Sequence, residues 1–157
     1  MSKPLLISAG DPDGIGPEVT ARALGRIRPD YPVVVLGRSS VLPGAEQWPR
    51  VNAPEETRGR GGVFLWEPES EGEDVSFLQV RTGALWALEG RGVALVTAPI
   101  SKEAWRDAGH GQYPGHTELL AERLAAGSPY DCNMMFVAPM LRVMLVTAHI
   151  PLSRVRA

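Results

Sequence analysis

The sequence predicts an α/β fold, with a mixed or parallel sheet flanked by helices, and three observations carry that expectation. Short aliphatic runs alternate with helical stretches along all 157 residues, the order expected when helices cover a sheet. Several runs, Val33 to Gly37 and Val93 to Ala98 among them, are apolar at successive positions. Strands of that kind are buried on both faces, whereas a sheet with one wet face alternates. The 17 glycines and 14 prolines fall between these runs as punctuation.

Leu5 to Ala9 reads as the first strand, followed by a glycine-rich loop from Gly10 to Gly16. Pro17 and Glu18 then suit a first helical turn. The proline's missing N–H has no intrahelical partner there, and the carboxylate faces the positive end of the dipole. That helix is expected to run to about Arg28 and stop before Pro29. Val33 to Gly37 and Val63 to Trp66 read as strands, and Ala45 to Gly62 between them lacks periodicity, as a surface excursion would. Helices are predicted over Thr82 to Glu89, Ser101 to Ala108 and Thr117 to Ala126, the last with Thr117 as N-cap and Gly127 as its stop. Val93 to Ala98, Met134 to Ala138 and Arg142 to Ala148 complete the strands. Ser153 is a good N-cap, so Arg154 to Ala157 reads as the first turn of a helix that has no remainder.

Composition narrows the classes of function. Cys132 is the only cysteine, which rules out an intramolecular disulfide or a zinc site of several thiolates and fits a reducing, cytoplasmic setting. No charged leader with a long apolar run opens the chain, and the richest later stretch, Met134 to Leu145, is broken by Pro139 and Arg142. Neither secretion nor membrane spanning is expected. With 16 basic and 18 acidic residues, a net charge of −2 and no basic block, nucleic acid is not an expected partner.

Four segments could carry chemistry. Gly10 to Glu18 lies between a strand and a helix, where glycines let backbone approach a ligand and the helix start attracts anions. It lacks the third glycine of a dinucleotide fingerprint, and Asp11 and Asp13 would repel a phosphate, so from spacing alone it reads as a tight turn. Thr97 to Lys102 follows the most apolar strand, and a lysine there can reach the crevice beyond the strand ends or stand solvated. His116, in Tyr113 to Glu118, is either a solvated loop histidine or an imidazole set beside backbone amides that take an anion. His149 closes the last aliphatic strand before an Ile-Pro turn, a position that suits a catalytic group or a metal ligand, although one histidine is not a metal site. His110, between two glycines, reads as a loop residue.

In order, these segments resemble the PdxA family, the 4-hydroxythreonine-4-phosphate dehydrogenases. The matching pieces are Gly10 to Glu18, Val96 to Lys102, Asp107 to Gly109, Pro114 to Glu118, and Met134 to Val143 ending in Thr147 to Leu152, with little contributed by Val41 to Phe77. The resemblance implies a fold like isocitrate and isopropylmalate dehydrogenases, a homodimer, a divalent metal (Zn, Mg or Co) and NAD or NADP. Such enzymes oxidise the secondary alcohol of 4-phosphooxy-threonine, with decarboxylation, on the route to pyridoxal phosphate. Three alternatives stay open: a dehydrogenase of a related phosphorylated hydroxy acid such as 4-phospho-threonate, a non-catalytic remnant that binds an anion or a partner chain, and an unrelated α/β enzyme that uses the glycine loop for a nucleotide phosphate.

Carried over residue by residue, the resemblance makes His116 and Thr117 the substrate-binding pair and His149 the first of three metal histidines. It makes Lys102 a catalytic lysine for positioning or proton transfer, and Asp11 either a structural group or one that supports the residues touching the ligand. Cofactor-binding residues are not assigned. Family members are longer, so the 157 residues are expected to form the N-terminal portion of a two-domain dehydrogenase, with no internal boundary. With one histidine ligand, useful metal affinity is not expected, and the chain alone should oxidise little or nothing.

Overall fold

Four short aliphatic strands pair in parallel: β1 (Leu5–Ser8), β2 (Pro32–Leu36), β3 (Gly62–Trp66) and β4 (Ala94–Thr97), in the order β3-β2-β1-β4. The structure is a computed structural model that describes residues 3–69, 74–125, 133–147 and 150–155. Because side chains alternate across a pleated strand, β1, β2 and β3 feed both layers, whereas the edge strand β4 leaves Ala94 and Val96 exposed, against the expectation that the Val93 to Ala98 run is buried on both faces. Ala9, Val33, Val35 and Leu65 pack with Leu24 of helix α1 (Gly16–Ile27) on one face. Leu6, Val34, Leu36 and Phe64 pack with Trp86 of helix α2 (Val75–Leu88) on the other. All five positions of β2 are buried, as its continuous apolar run predicts.

Helix α2 begins seven residues earlier than the predicted Thr82 to Glu89. Nine of its 14 residues are buried, so it shows no polar stripe and no readable 3.6-residue period. Its start is set by Asp74, whose Oδ1 accepts from Phe77 N at 2.9 Å and from Ser76 Oγ at 2.5 Å. Asp74→Ala is expected to cost about 1 kcal/mol, the usual value of an N-cap, in a denaturant titration. The stretch read as a surface excursion is also corrected. It contains two short 3-10 turns, Ala45–Gln47 and Pro54–Thr57, and it buries Ala45, Val51, Pro54 and Thr57 against the rest of the chain.

The predicted Ser101 to Ala108 helix is shorter and continues differently. Helix α3 (Lys102–Trp105) is capped by Ser101, whose hydroxyl accepts from Ala104 N at 3.1 Å, and runs into a π-helical turn over Arg106–His110. Helix α4 spans His116–Ala125, so Thr117 stands inside its first turn and is not its N-cap. Gly127 lies outside the described residues.

Strands β5 (Met135–Ala138) and β6 (Leu141–Met144) form an antiparallel hairpin, with Met135 opposite Met144. All eight positions are exposed, against the expectation that a continuous apolar run is buried. Among the described residues, hydrogen-bonded strand pairing of this hairpin is with itself alone. The predicted helix start at Ser153 is a single 3-10 turn, Leu152–Arg154, entered from Pro151. Among the described residues, no helix is long and apolar enough to cross a membrane.

Candidate functional site at the ends of β1 and β4

The chain leaves β1 toward β2 and β3 on one side and returns as β4 on the other. Ligands of open α/β sheets bind beyond the carboxyl ends of the strands at such a reversal. Two sequence-selected loops meet there. Asp11 N donates to Pro99 O at 2.9 Å, and Gly10 N donates to the side chain of Gln79. Asp11 Oδ1 accepts from Asp13 N at 3.0 Å, and Asp11 O accepts from Gly14 N at 3.1 Å. The carboxylate thus closes its own turn, in keeping with a structural Asp11. The glycines serve the same end. A Cβ on Gly10 would lie 2.2 Å from Pro99 O, and one on Gly16 would lie 2.2 Å from Ala9 O.

Lys102 and His116 come together beside this junction. Lys102 is exposed as the first residue of α3, and its Cε lies within 3.6 Å of where a Gly115 side chain would start. His116 is half-buried at the start of α4, with its ring edge-on to Trp105 at 5.9 Å between centroids. Its Nε2 is buried and has no hydrogen-bond partner among the described residues. Burial holds the imidazole pKa below its ordinary value, a hydrogen bond to the Ala98 backbone acts against that, and the Lys102 cation adds to the lowering. The neutral ring is therefore favoured at pH 7, when one ring nitrogen donates and the other accepts. Thr117 and Glu118 are exposed in the same first helical turn.

A proton taken up by His116 is disfavoured in the fold, so this residue's contribution to stability falls as pH drops through the ordinary histidine range. Lys102→Met is expected to raise the His116 pKa, because it removes a like charge while burial stays the same. NMR titration of the ring measures this, and an unchanged midpoint would show that the lysine is screened.

Residues that periodicity and motif spacing do not reveal also support the site. Trp105 is fully buried, donates from Nε1 to Ser76 Oγ at 2.8 Å, and stands edge-on to Phe77 at 5.2 Å. The only signal in the sequence is a tryptophan inside a short helix. His110 follows a kink at Gly109, where φ is +86°, and its ring stacks on Phe77 with centroids 3.6 Å apart. His149 and Cys132 lie outside the described residues. Among the described residues, no group of three His, Cys, Asp or Glu side chains could hold a metal ion.

Two of the concave surfaces that lie away from the Lys102–His116 cluster have a distinct chemistry. A cavity of about 340 Å³ lies between the chain's start and the α2–β4 turn, lined by Lys3, Glu55, Arg58 and Arg91. There the Arg91 guanidinium binds Glu55 at 2.7 and 2.9 Å and holds its carboxyl at about 2. An apolar groove of about 310 Å³ runs between α1 and β4, lined by Val19, Ile27 and Val96 among others. Neither offers the pairing of cation and neutral imidazole found at Lys102 and His116.

Comparison with known proteins agrees with the motif order. Residues 55–157 match the family model of the pyridoxal phosphate biosynthetic protein PdxA. The 4-hydroxythreonine-4-phosphate dehydrogenase of Ruegeria sp. is 35% identical over 164 residues, covering 96% of this chain and 49% of that protein. That of Caulobacter vibrioides is 36% identical over 173 residues, covering 98% and 52%. The crystal structure of 4-hydroxythreonine-4-phosphate dehydrogenase from Klebsiella pneumoniae superimposes with a TM-score of 0.77 at 31% identity, covering 98% of this chain and 52% of its own. A structure of a putative 4-hydroxythreonine-4-phosphate dehydrogenase from Salmonella typhimurium gives 0.78 at 32%, covering 98% and 54%. The chain spans about half the length of the curated relatives it matches.

Proposed function

The chain belongs to the PdxA family, and from that premise we propose that it contributes the substrate-recognising part of a dehydrogenase acting on 4-phosphooxy-threonine. The proposed reaction would oxidise the secondary alcohol to a ketone, its hydride going to NAD and its hydroxyl proton to a base, and the β-carboxylate would leave as CO2 with a proton taking its place; a divalent ion, when bound, would supply charge stabilisation for this chemistry. A cytoplasmic homodimer goes with this reading. The curated relatives named as 4-hydroxythreonine-4-phosphate dehydrogenases support it.

Among the described residues, neither cofactor finds a complete site. No three metal-ligating side chains cluster there, and the glycine loop carries Asp11 and Asp13 where a dinucleotide phosphate would be repelled. His149, the expected metal ligand, lies outside the described residues. What the described residues of this chain can do is bind and move protons. In this reading the neutral His116 ring hydrogen-bonds the substrate and Thr117 offers its hydroxyl and the amides of the first α4 turn. Lys102 balances the substrate's negative charge or carries a proton.

The observation that carries the proposal is a half-buried imidazole whose Nε2 has no hydrogen-bond partner among the described residues, set beside a lysine at the sheet reversal. The test is an NMR titration of isotope-labelled chain with 4-phosphooxy-threonine, with 4-phospho-threonate and inorganic phosphate as comparators. Shifts are expected at His116, Thr117 and Lys102, with affinity reduced about tenfold by His116→Ala, as for a lost hydrogen bond of about 1.4 kcal/mol. No shift at these residues would overturn the reading, and an equal response to phosphate would reduce it to anion attraction. Robust NAD reduction by the pure chain would overturn the conclusion that these residues leave the cofactor sites incomplete.

A further inference from the structure

In a parallel ladder, alternate residues of one strand bond to the same neighbour, each giving its N–H to one residue there and accepting from the residue two positions on. Ser8 stands opposite Thr97, and Ala98 N donates to Ser8 O at 3.0 Å. Carried two residues further, the ladder would send the Gly10 N–H to the Ala98 carbonyl. It does not. Gly10 N donates at 2.9 Å to Oε1 of Gln79, a side chain from α2 that is 1% exposed, and the Ala98 backbone hydrogen-bonds the His116 ring.

We propose that Gln79 is a positioning residue: it takes the Gly10 N–H, ends the β1–β4 pairing one step early, and reserves the Ala98 carbonyl for His116, which holds that ring in one tautomer. An uncharged amide suits the task, because an ionised carboxylate at this depth would have to be desolvated and an aliphatic side chain would leave the Gly10 N–H to compete for the Ala98 carbonyl. Gly10 is already turned away from the sheet, with φ at +81° and its α-carbon against Pro99. Asp11 N then pairs with Pro99 O, so the strands part with their backbone groups satisfied. The inference deepens the proposed function and rests on its reading of His116 as a substrate ligand, since the tautomer decides which ring nitrogen donates and which accepts.

Ring-nitrogen NMR of His116 and exchange of the Gly10 amide test it, with circular dichroism to confirm the fold. In the unmodified chain His116 should occupy a single neutral tautomer, and a mixture would overturn the proposal at once. Gln79→Met has similar length and no oxygen, and Gln79→Asn is too short to reach Gly10. Either should pass the Gly10 N–H to the Ala98 carbonyl, so that Gly10 stays protected from exchange while His116 turns into a tautomer mixture, whereas a Gly10 amide that exchanges about tenfold faster beside a single His116 tautomer would overturn the reservation. Gln79→Glu, held in its neutral acid form by burial, keeps an acceptor oxygen and should retain the single tautomer. A single tautomer retained in whichever of the Met and Asn variants folds would overturn the assignment. None of these measurements uses substrate, so they fail or succeed independently of the titration with 4-phosphooxy-threonine.

Discussion

Gly10→Ala is expected to destabilise the fold by about 3 kcal/mol or more, a sum of two effects that a second glycine separates. A non-glycine residue in the left-handed region costs roughly 1–2 kcal/mol. At Gly10 the new Cβ would also stand 2.2 Å from Pro99 O, a backbone atom that cannot swing aside. The two loops would have to part, straining the Asp11 N to Pro99 O bond and the Gly10 N to Gln79 bond. Gly44 has the same φ of +81°, with nothing within 4 Å of its would-be Cβ. Gly44→Ala should therefore show the backbone cost alone. In a domain of this size each kcal/mol lowers the melting temperature by roughly 2–4 °C, so Gly10→Ala should melt at least about 6 °C lower. Equal losses in the two variants would refute the loop-to-loop contact as the source.

The second large effect is expected at Trp105. Its ring is fully buried among Phe77, Tyr113 and Leu119, its Nε1 donates to Ser76, and its face meets the His116 ring. Trp105→Ala should cost about 4 kcal/mol in denaturant titration, the usual range for a buried tryptophan. Trp105→Phe keeps much of the ring contact and loses the Ser76 bond, for a cost of about 1 kcal/mol. The same loss of packing should admit water to His116 and move its pKa upward toward the ordinary value, since burial is the largest cause of its lowering. A Trp105→Ala variant that melts normally, or whose His116 titration is unmoved, would show that α3 does not shield the imidazole.

Much of the frame is legible because it is local. The apolar runs at Leu5 to Ala9, Val33 to Gly37 and Val63 to Trp66 become β1, β2 and β3 with boundaries shifted by a residue or so. The Pro17 and Pro29 signals bracket α1, whose C-cap is Arg28 in the left-handed region. Helix α2 was half missed because its first turns are buried all round, and burial on every side erases the pattern by which a helix is recognised. The two strands of the β5–β6 hairpin are legible in the sequence, but their exposure is not. Apolar composition states what a strand would bury if it had a cover, and the hairpin's eight positions are exposed.

By itself, the sequence determined the α/β class, the strand order along the chain, and a succession of motifs specific enough to place the family. These are written in neighbouring residues, as runs, caps and spacings. Only the tertiary structure decided that Lys102 stands near His116, that Asp11 closes its own turn, and that Gln79 holds Gly10 across 69 residues of sequence. A hydrogen-bond partner and a depth of burial belong to the packed chain, since both depend on groups that approach one another only when helices close over the sheet.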